Sequence, residues 1–274
     1  MSVSFLMAQS FVQNGLVFSV IEGKNEVSVR GDGDKLPNVV LIPSTVTIEG
    51  KEFLVTRIED KGFYMCSNIK ELVFSDCLTH IGKEAFYMCE GIVDLKLPHS
   101  VLHIGEEAFA MCKSLSTISL SNSLQIINKR TFWNCSSLSK IKIPSGVKSI
   151  EREAFFSCSA LSSVELVEGL EFVGRLAFGS CSTLMSLDLP ESLAEVDDQG
   201  FWNCSSLLSV KFGQYVDRIG DSAFGQCTEL NNVVIASEDV IMGKNVFEYC
   251  PSLVSYTKGK KVIKLIFTLE ELDG

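Results

Sequence analysis

The sequence predicts a solenoid, one elongated domain of stacked coils held together by parallel strands. Three observations predict it. Phenylalanine recurs as Phe63, Phe86, Phe109, Phe132, Phe155, Phe178, Phe201, Phe224 and Phe247, at a constant spacing of 23 residues with no insertion. Cysteine follows each of these by three residues, from Cys66 to Cys250, and Ile or Leu follows each cysteine by three more, from Ile69 to Leu253. A unit of 23 residues exposes apolar side chains above and below itself, so it cannot close a core alone, and only stacked copies supply the missing walls.

Taken in chain order, the opening stretch SVSFLMAQS ends in Ala8-Gln9-Ser10, the small-x-small form that a signal peptidase reads. No basic residue precedes it and its apolar run is short, which favours an ordinary N-terminus over the remnant of a leader. GLVFSVIEGKNEVSVRG then predicts two alternating strands around Gly23-Lys24-Asn25. Val40, Ile42, Pro43 and Val46 repeat the strand half of the unit. Val40 lies 23 residues before Phe63, whereas Leu95 lies 14 before Phe109, so nine extra residues within TIEGKEFLVT predict a hairpin extension. Residues 1–57 are therefore expected to form a β-rich N-terminal cap that includes a partial repeat, and residues 58–257 to form nine repeats.

Within a repeat, Ile141-Lys142-Ile143-Pro144 alternates with a period of two, which puts both isoleucines on one face of a strand and Lys142 on the other. Pro98, Pro144 and Pro190 end such strands because proline has no amide hydrogen. A second apolar pair, Val101 with Ile104 or Val147 with Ile150, predicts a second short strand, and Gly82, Gly105, Gly174 and Gly220 mark the turn toward the next Phe. Phe and Cys three apart fit one face of a single helical turn. With strands about 4.8 Å apart the stack would be about 43 Å long. The repeat stops where Lys258 replaces an apolar strand residue, and residues 258–274, beginning KGKKVIKLIF, are expected to form a C-terminal cap.

With 46% hydrophobic residues and a mean hydropathy of +0.24 the chain belongs among folded proteins. Its 24 Lys and Arg against 34 Asp and Glu, net −10, would repel a polyanion, and no basic run forms a stripe, so nucleic acid is a poor partner. No stretch approaches the roughly 20 apolar residues of a membrane-spanning helix. Zinc sites favour Cys-x-x-Cys pairs or closely spaced Cys and His, and the chain has no Cys-x-x-Cys and only His80, His99 and His103. Nine ladder cysteines cannot all pair, and each occupies the same apolar slot as Phe and Leu, so buried, reduced thiols acting as small hydrophobes are expected; Cys77 alone falls off the ladder. Asn134-Cys135-Ser136 and Asn203-Cys204-Ser205 fit the glycosylation sequon, but their central cysteines are bound for the core. No nucleophile elbow, zinc-protease helix, phosphate loop or dinucleotide fingerprint is present. Asp197-Asp198 reads as a solvated turn, and His99 and His103 do not share a helical face. The expectation is a non-enzymatic protein without metal or cofactor.

The unit read from Ile81-Gly82, Ala85-Phe86, Cys89, Ile92, Leu95, Leu97-Pro98 and Val101 resembles the BspA-like type of leucine-rich repeat, over residues 40 to about 257. That resemblance implies a right-handed solenoid with a parallel sheet on its concave side and short helical turns elsewhere. It also implies a place among surface or secreted proteins of bacteria and some protists that adhere to host proteins and other cells. Asn128, Glu151 and Asp197 depart from the glycine that follows Ile in the family's unit.

The expected function is a monomeric protein-binding module, adhesive and at the cell surface or secreted, with an intracellular interaction scaffold or a carbohydrate-binding module as alternatives. Two surfaces are candidates. The outward positions of the concave sheet are Asp94 and Lys96, Thr117 and Ser119, Lys140 and Lys142, Ser163 and Glu165, Ser186 and Asp188, and Ser209 and Lys211; they change chemistry from coil to coil, whereas the inward columns do not. Variety of charge is what specificity needs. The residue after each Phe is aromatic in five units, as Tyr64, Tyr87, Trp133, Phe156 and Trp202, and forms a candidate aromatic edge of the residue types that make hot spots.

Overall fold

The computed structural model describes residues 10–265, so the Ala8-Gln9-Ser10 leader motif lies largely outside the described residues. The chain forms a β-solenoid in which residue i of one coil stands beside residue i+23 of the next. Thus Asp94 pairs with Thr117, Lys140 with Ser163, and Ser186 with Ser209, all in parallel. Two strand lines run along the stack. The first holds three-residue strands such as Asp94–Lys96 and Lys140–Lys142, exposed, buried and exposed in turn; the alternation follows because strand side chains point to opposite faces. The second holds pairs such as His80–Ile81 and His103–Ile104, whose isoleucines point inward.

At the N-terminal end Ser10–Gln13, Leu16–Val20 and Glu26–Gly31 form an antiparallel meander, and Glu26–Gly31 pairs in parallel with Lys51–Ile58, the start of the second line. The nine additional residues fold as a hairpin, Thr45–Ile48 against Lys51–Ile58, turning at Glu49 and Gly50, whose φ angles are 50° and 80°. At the other end Ser255–Lys258 adds to the first line and Lys261–Lys264 folds back on it antiparallel.

The core is columnar. From Phe63 to Phe224 each ring stacks on its copy in the next coil at 5.1 to 5.6 Å, with planes within 12°. Identical rings must lie parallel because every coil presents them from the same backbone position. Phe247 breaks the pattern, tilted 31° at 6.0 Å from Phe224 and packed on Tyr256.

The expected helical turns are not helices. Among the described residues the sole helical element is the 3-10 turn Gly33–Lys35. Phe and Cys are joined by an i to i−3 bond, as in Cys89 N–H to Phe86 O at 3.1 Å, but the residue between them, Met88, has φ 57°. A left-handed residue at that point, and another four earlier at Glu84, recur in every unit and turn the chain out of the helical path. In this conformation alternate amides point along the solenoid axis. Glu84, Phe86 and Met88 donate to the carbonyls of Glu106, Ala108 and Ala110 in the next coil, at 2.9, 2.7 and 2.9 Å. Sequence spacing could not separate a helical turn from this arrangement, because both bring Phe and Cys to one side.

The thiols complete the junction. Each Sγ from Cys89 to Cys250 donates to the carbonyl of the Phe in the preceding coil, as in Cys158 to Phe132 at 3.2 Å. A side chain small enough for the slot and able to donate one weak hydrogen bond is what the position demands. Cys66 departs from the expectation of nine buried thiols: it is half-buried, because no Phe–Cys coil precedes it.

Candidate functional site

The inward side chains of the first line, Leu95, Ile118, Ile141, Val164, Leu187 and Val210, are all buried. Their neighbours must therefore point away from the core, and the twelve outward candidates do stand together on one face, Thr117 and Ser209 half-buried and the rest exposed. Adjacent coils bring some of them into contact. Thr117 donates to Asp94, and Lys142 forms an ion pair with Glu165. Lys96, Lys140, Asp188 and Lys211 form no ion pair among the described residues, so their charges are available. Exposed pairs such as Lys142–Glu165 contribute little to stability.

The same columns extend beyond the predicted set. Glu71 and Val73 stand one coil before Asp94 and Lys96, and Val39 and Leu41 pair with them in register. Leu41 is 62% exposed and Val73 43%, giving the N-terminal end of the face an apolar character that the middle lacks. Subtracting the repeat length from Asp94 and Lys96 would have found Glu71 and Val73. Val39 and Leu41 escape that subtraction because the hairpin displaces them by nine residues.

The aromatic candidates lie on the turn wall. Tyr64 and Tyr87 stack at 5.1 Å. Phe156 and Trp202 cover the next coil, where the equivalent residues are Gly179 and Gly225: a Cβ added there would lie 2.9 Å from the Phe156 ring and 3.1 Å from the Trp202 ring. Trp133 lies under the Arg130 guanidinium at 6.0 Å. All but Tyr64 are half-buried, so part of each ring serves the coil junction.

Beside these rings a file of charges climbs the wall at the first left-handed position. Lys61 pairs with Glu84 at 3.3 Å, and Arg130 lies between Glu107, at 3.6 Å, and Glu153. Glu153 is buried and also accepts from Arg152 Nε at 2.6 Å. Burial alone would raise the Glu153 carboxyl, but hydrogen bonds from Arg130 and Arg152 outweigh it and hold the group below its ordinary value of 4.5. A lowered folded-state value means a contribution present above about pH 4.5 and lost as pH falls through the folded value. Glu153→Gln should therefore be less stable than wild type at neutral pH and lose less on acidification, as denaturant unfolding across that range would show; parallel pH profiles would remove the charge from the account.

Both sequon asparagines sit at left-handed positions with their amides engaged, Asn134 with Met111 and Asn203 with Ser180. Cys135 and Cys204 are fully buried. Among the described residues no group of three or more His, Cys, Asp or Glu side chains is placed to hold a metal ion, and no helix is long and apolar enough to cross a membrane.

A solenoid with a uniform buried interior and a variable outer sheet defines a repeat protein. The family comparison gives the particular kind: residues 56–184 and 148–266 match the BspA type leucine rich repeat region, in six copies. The chain belongs to that family. Among solved structures it is similar to a leucine-rich repeat protein from Bacteroides ovatus, with 23% identity and a TM-score of 0.60, covering 89% of this chain and 81% of that one. It is also similar to the T. pallidum leucine rich repeat protein, with 23% identity and a TM-score of 0.49, covering 89% and 91%. None of the curated proteins matches.

Proposed function

We propose that the chain is a non-enzymatic protein-binding module that works in adhesion, at a cell surface or after secretion, with residues 1–57 and 258–274 capping its nine repeats. The observation that carries this reading is the contrast between the two faces of one sheet. The inward column is apolar in every coil, while the outward columns pass through Asp94 and Lys96, Lys140 and Lys142, then Ser186 and Asp188, on strands fixed by the buried stack. A preformed face of varied charge suits recognition of one partner among many, since it loses little freedom on binding. A sugar-binding face would place Trp or Tyr on these columns, and both tryptophans lie on the turn wall instead, which favours protein over carbohydrate.

The test compares the two candidate surfaces. Purified protein is measured for attachment to immobilised cell-surface protein fractions, beside Lys140→Glu with Lys142→Glu and beside Trp133→Ala with Trp202→Ala. The lysine pair should fold as wild type and lose attachment by at least about tenfold. Normal attachment of the lysine double variant with loss in the tryptophan one would move the contact to the aromatic edge.

A further inference from the structure

On the second strand line, three basic side chains stand side by side near the N-terminal end. Arg57 is in register with His80 and His80 with His103, and the two imidazole centroids are 5.9 Å apart. The adjoining column is Gly82 and Gly105, where an added Cβ would lie 2.5 Å from the backbone nitrogens of Asp60 and Lys83 respectively. Coil packing thus requires glycine at both positions, and both glycines line an open groove of about 540 Å3 beside the basic file.

Carboxylates also line this groove, but each is already engaged. Glu59 accepts from Ser28 Oγ at 2.8 Å and pairs with Arg30 at 3.5 Å; Asp60 accepts the Lys83 N–H at 2.8 Å; Glu106 pairs with Lys83 Nζ at 3.7 Å. Of the cations Lys83 is paired as well, but Arg57 is not. Arg57 Nε is buried with no hydrogen-bond partner, and Arg57 forms no ion pair, among the described residues. A buried donor left in that state is costly until something accepts from it. Thr79 Oγ1 donates to Thr56 O at 3.0 Å and lies 2.8 Å from His80 Nδ1, so it accepts from an Nδ1–H and leaves Nε2 as the ring's other polar atom. Protonation would convert that atom to a second donor.

We propose that this groove binds an oxyanion, a carboxylate or phosphate group, held by Arg57, His80 and His103. An acceptor there can take hydrogen bonds from the Arg57 guanidinium, which lines the groove, and offsets the repulsion among the neighbouring basic groups. Burial, then Arg57, then His103 hold His80 below its ordinary value of 6.5, with Lys24 adding to the lowering and Glu26 opposing it. Glu26 is itself engaged by Thr56 at 2.9 Å and Lys24 at 3.9 Å. A bound anion favours the charged imidazole, so affinity rises as pH falls.

The chain's three histidines make the test direct. Imidazole NMR signals of the full-length protein are followed while inorganic phosphate, or acetate, is added at constant ionic strength, at about pH 6 and about pH 7.5. His80 and His103 should shift saturably and more tightly at the lower pH, while His99, on the turn after Asp94–Lys96, should not. Saturation by phosphate alone, acetate alone or both identifies the source of the oxyanion. Arg57→Gln should weaken binding at least about tenfold; His103→Gln, at an exposed position, is a second variant should the first fold poorly, and should also weaken it. Absence of a saturable His80 shift with either anion, equal shifts at His99, or unchanged affinity in both variants would overturn the assignment.

Discussion

Phe155→Ala is expected to destabilise the protein by about 3–5 kcal/mol. Phe155 is wholly buried, with parallel rings on both sides, Phe132 at 5.2 Å and Phe178 at 5.1 Å. Removing it empties a slot that neither neighbour can fill, because each is fixed by its own stacked partner and by the backbone ladder. Phe247→Ala should cost less: its ring is 6% exposed, tilted against Phe224 and packed on Tyr256, so the end of the stack can relax into the space. Stability in such a stack is a sum of units and nearest-neighbour interfaces. Equal costs for the two substitutions in denaturant unfolding would contradict that coupling.

Maleimide labelling of the native protein, read by mass spectrometry, should leave the thiols from Cys89 to Cys227 unmodified long after Cys77 has reacted. Two effects act together. Each of these sulfurs is buried and donates to a carbonyl, so reagent reaches it only when coils separate; an opening that costs several kcal/mol slows reaction by at least about a thousandfold. Burial also raises the thiols, Cys112, Cys158 and Cys204 to about 12, so the reactive thiolate would be about one part in ten thousand at pH 8. Cys250, next to the last regular coil, should be modified before Cys158, since ends open more readily than the middle. Labelling of Cys135, Cys158 or Cys181 at the rate of Cys77 would sink the assignment of these residues to the core.

The fold was legible because the repeat carries its own register. A constant interval between Phe63 and Phe247 fixes which residues stack, and alternation around Ile141 fixes which face outward, so the twelve outward positions follow from the sequence. Three things were not legible. Phe–Cys spacing fits a helical turn and a left-handed turn equally, and residues as different as Met88, Asn134 and Tyr249 occupy the left-handed site; stacking selects the conformation there and side-chain propensity does not. The burial of the aromatic edge depended on which residue lay in the next coil, as Gly179 does beneath Phe156. The Arg57–His80–His103 file keeps the 23-residue interval, but nothing in that interval shows that Arg57 Nε lacks a partner or that a groove opens beside Gly82 and Gly105.

The left-handed turns give the stack a direction. In a parallel sheet, hydrogen bonds between two coils run both ways: Leu97 donates forward to Ser119, while Ser116 donates back to Val93. On the turn wall they run one way. Lys61, Phe63 and Met65 donate to Lys83, Ala85 and Tyr87, and at every later junction as far as Ser222, Phe224 and Gln226 the amide is in the earlier coil and the carbonyl in the later one. The dipoles therefore add as they do in an α-helix, with the positive pole toward the later coils. The eight thiols, which donate to the preceding coil, point the other way. The solenoid is a vector: two copies meeting head to tail would align their turn walls, whereas two meeting tail to tail would set like poles against each other.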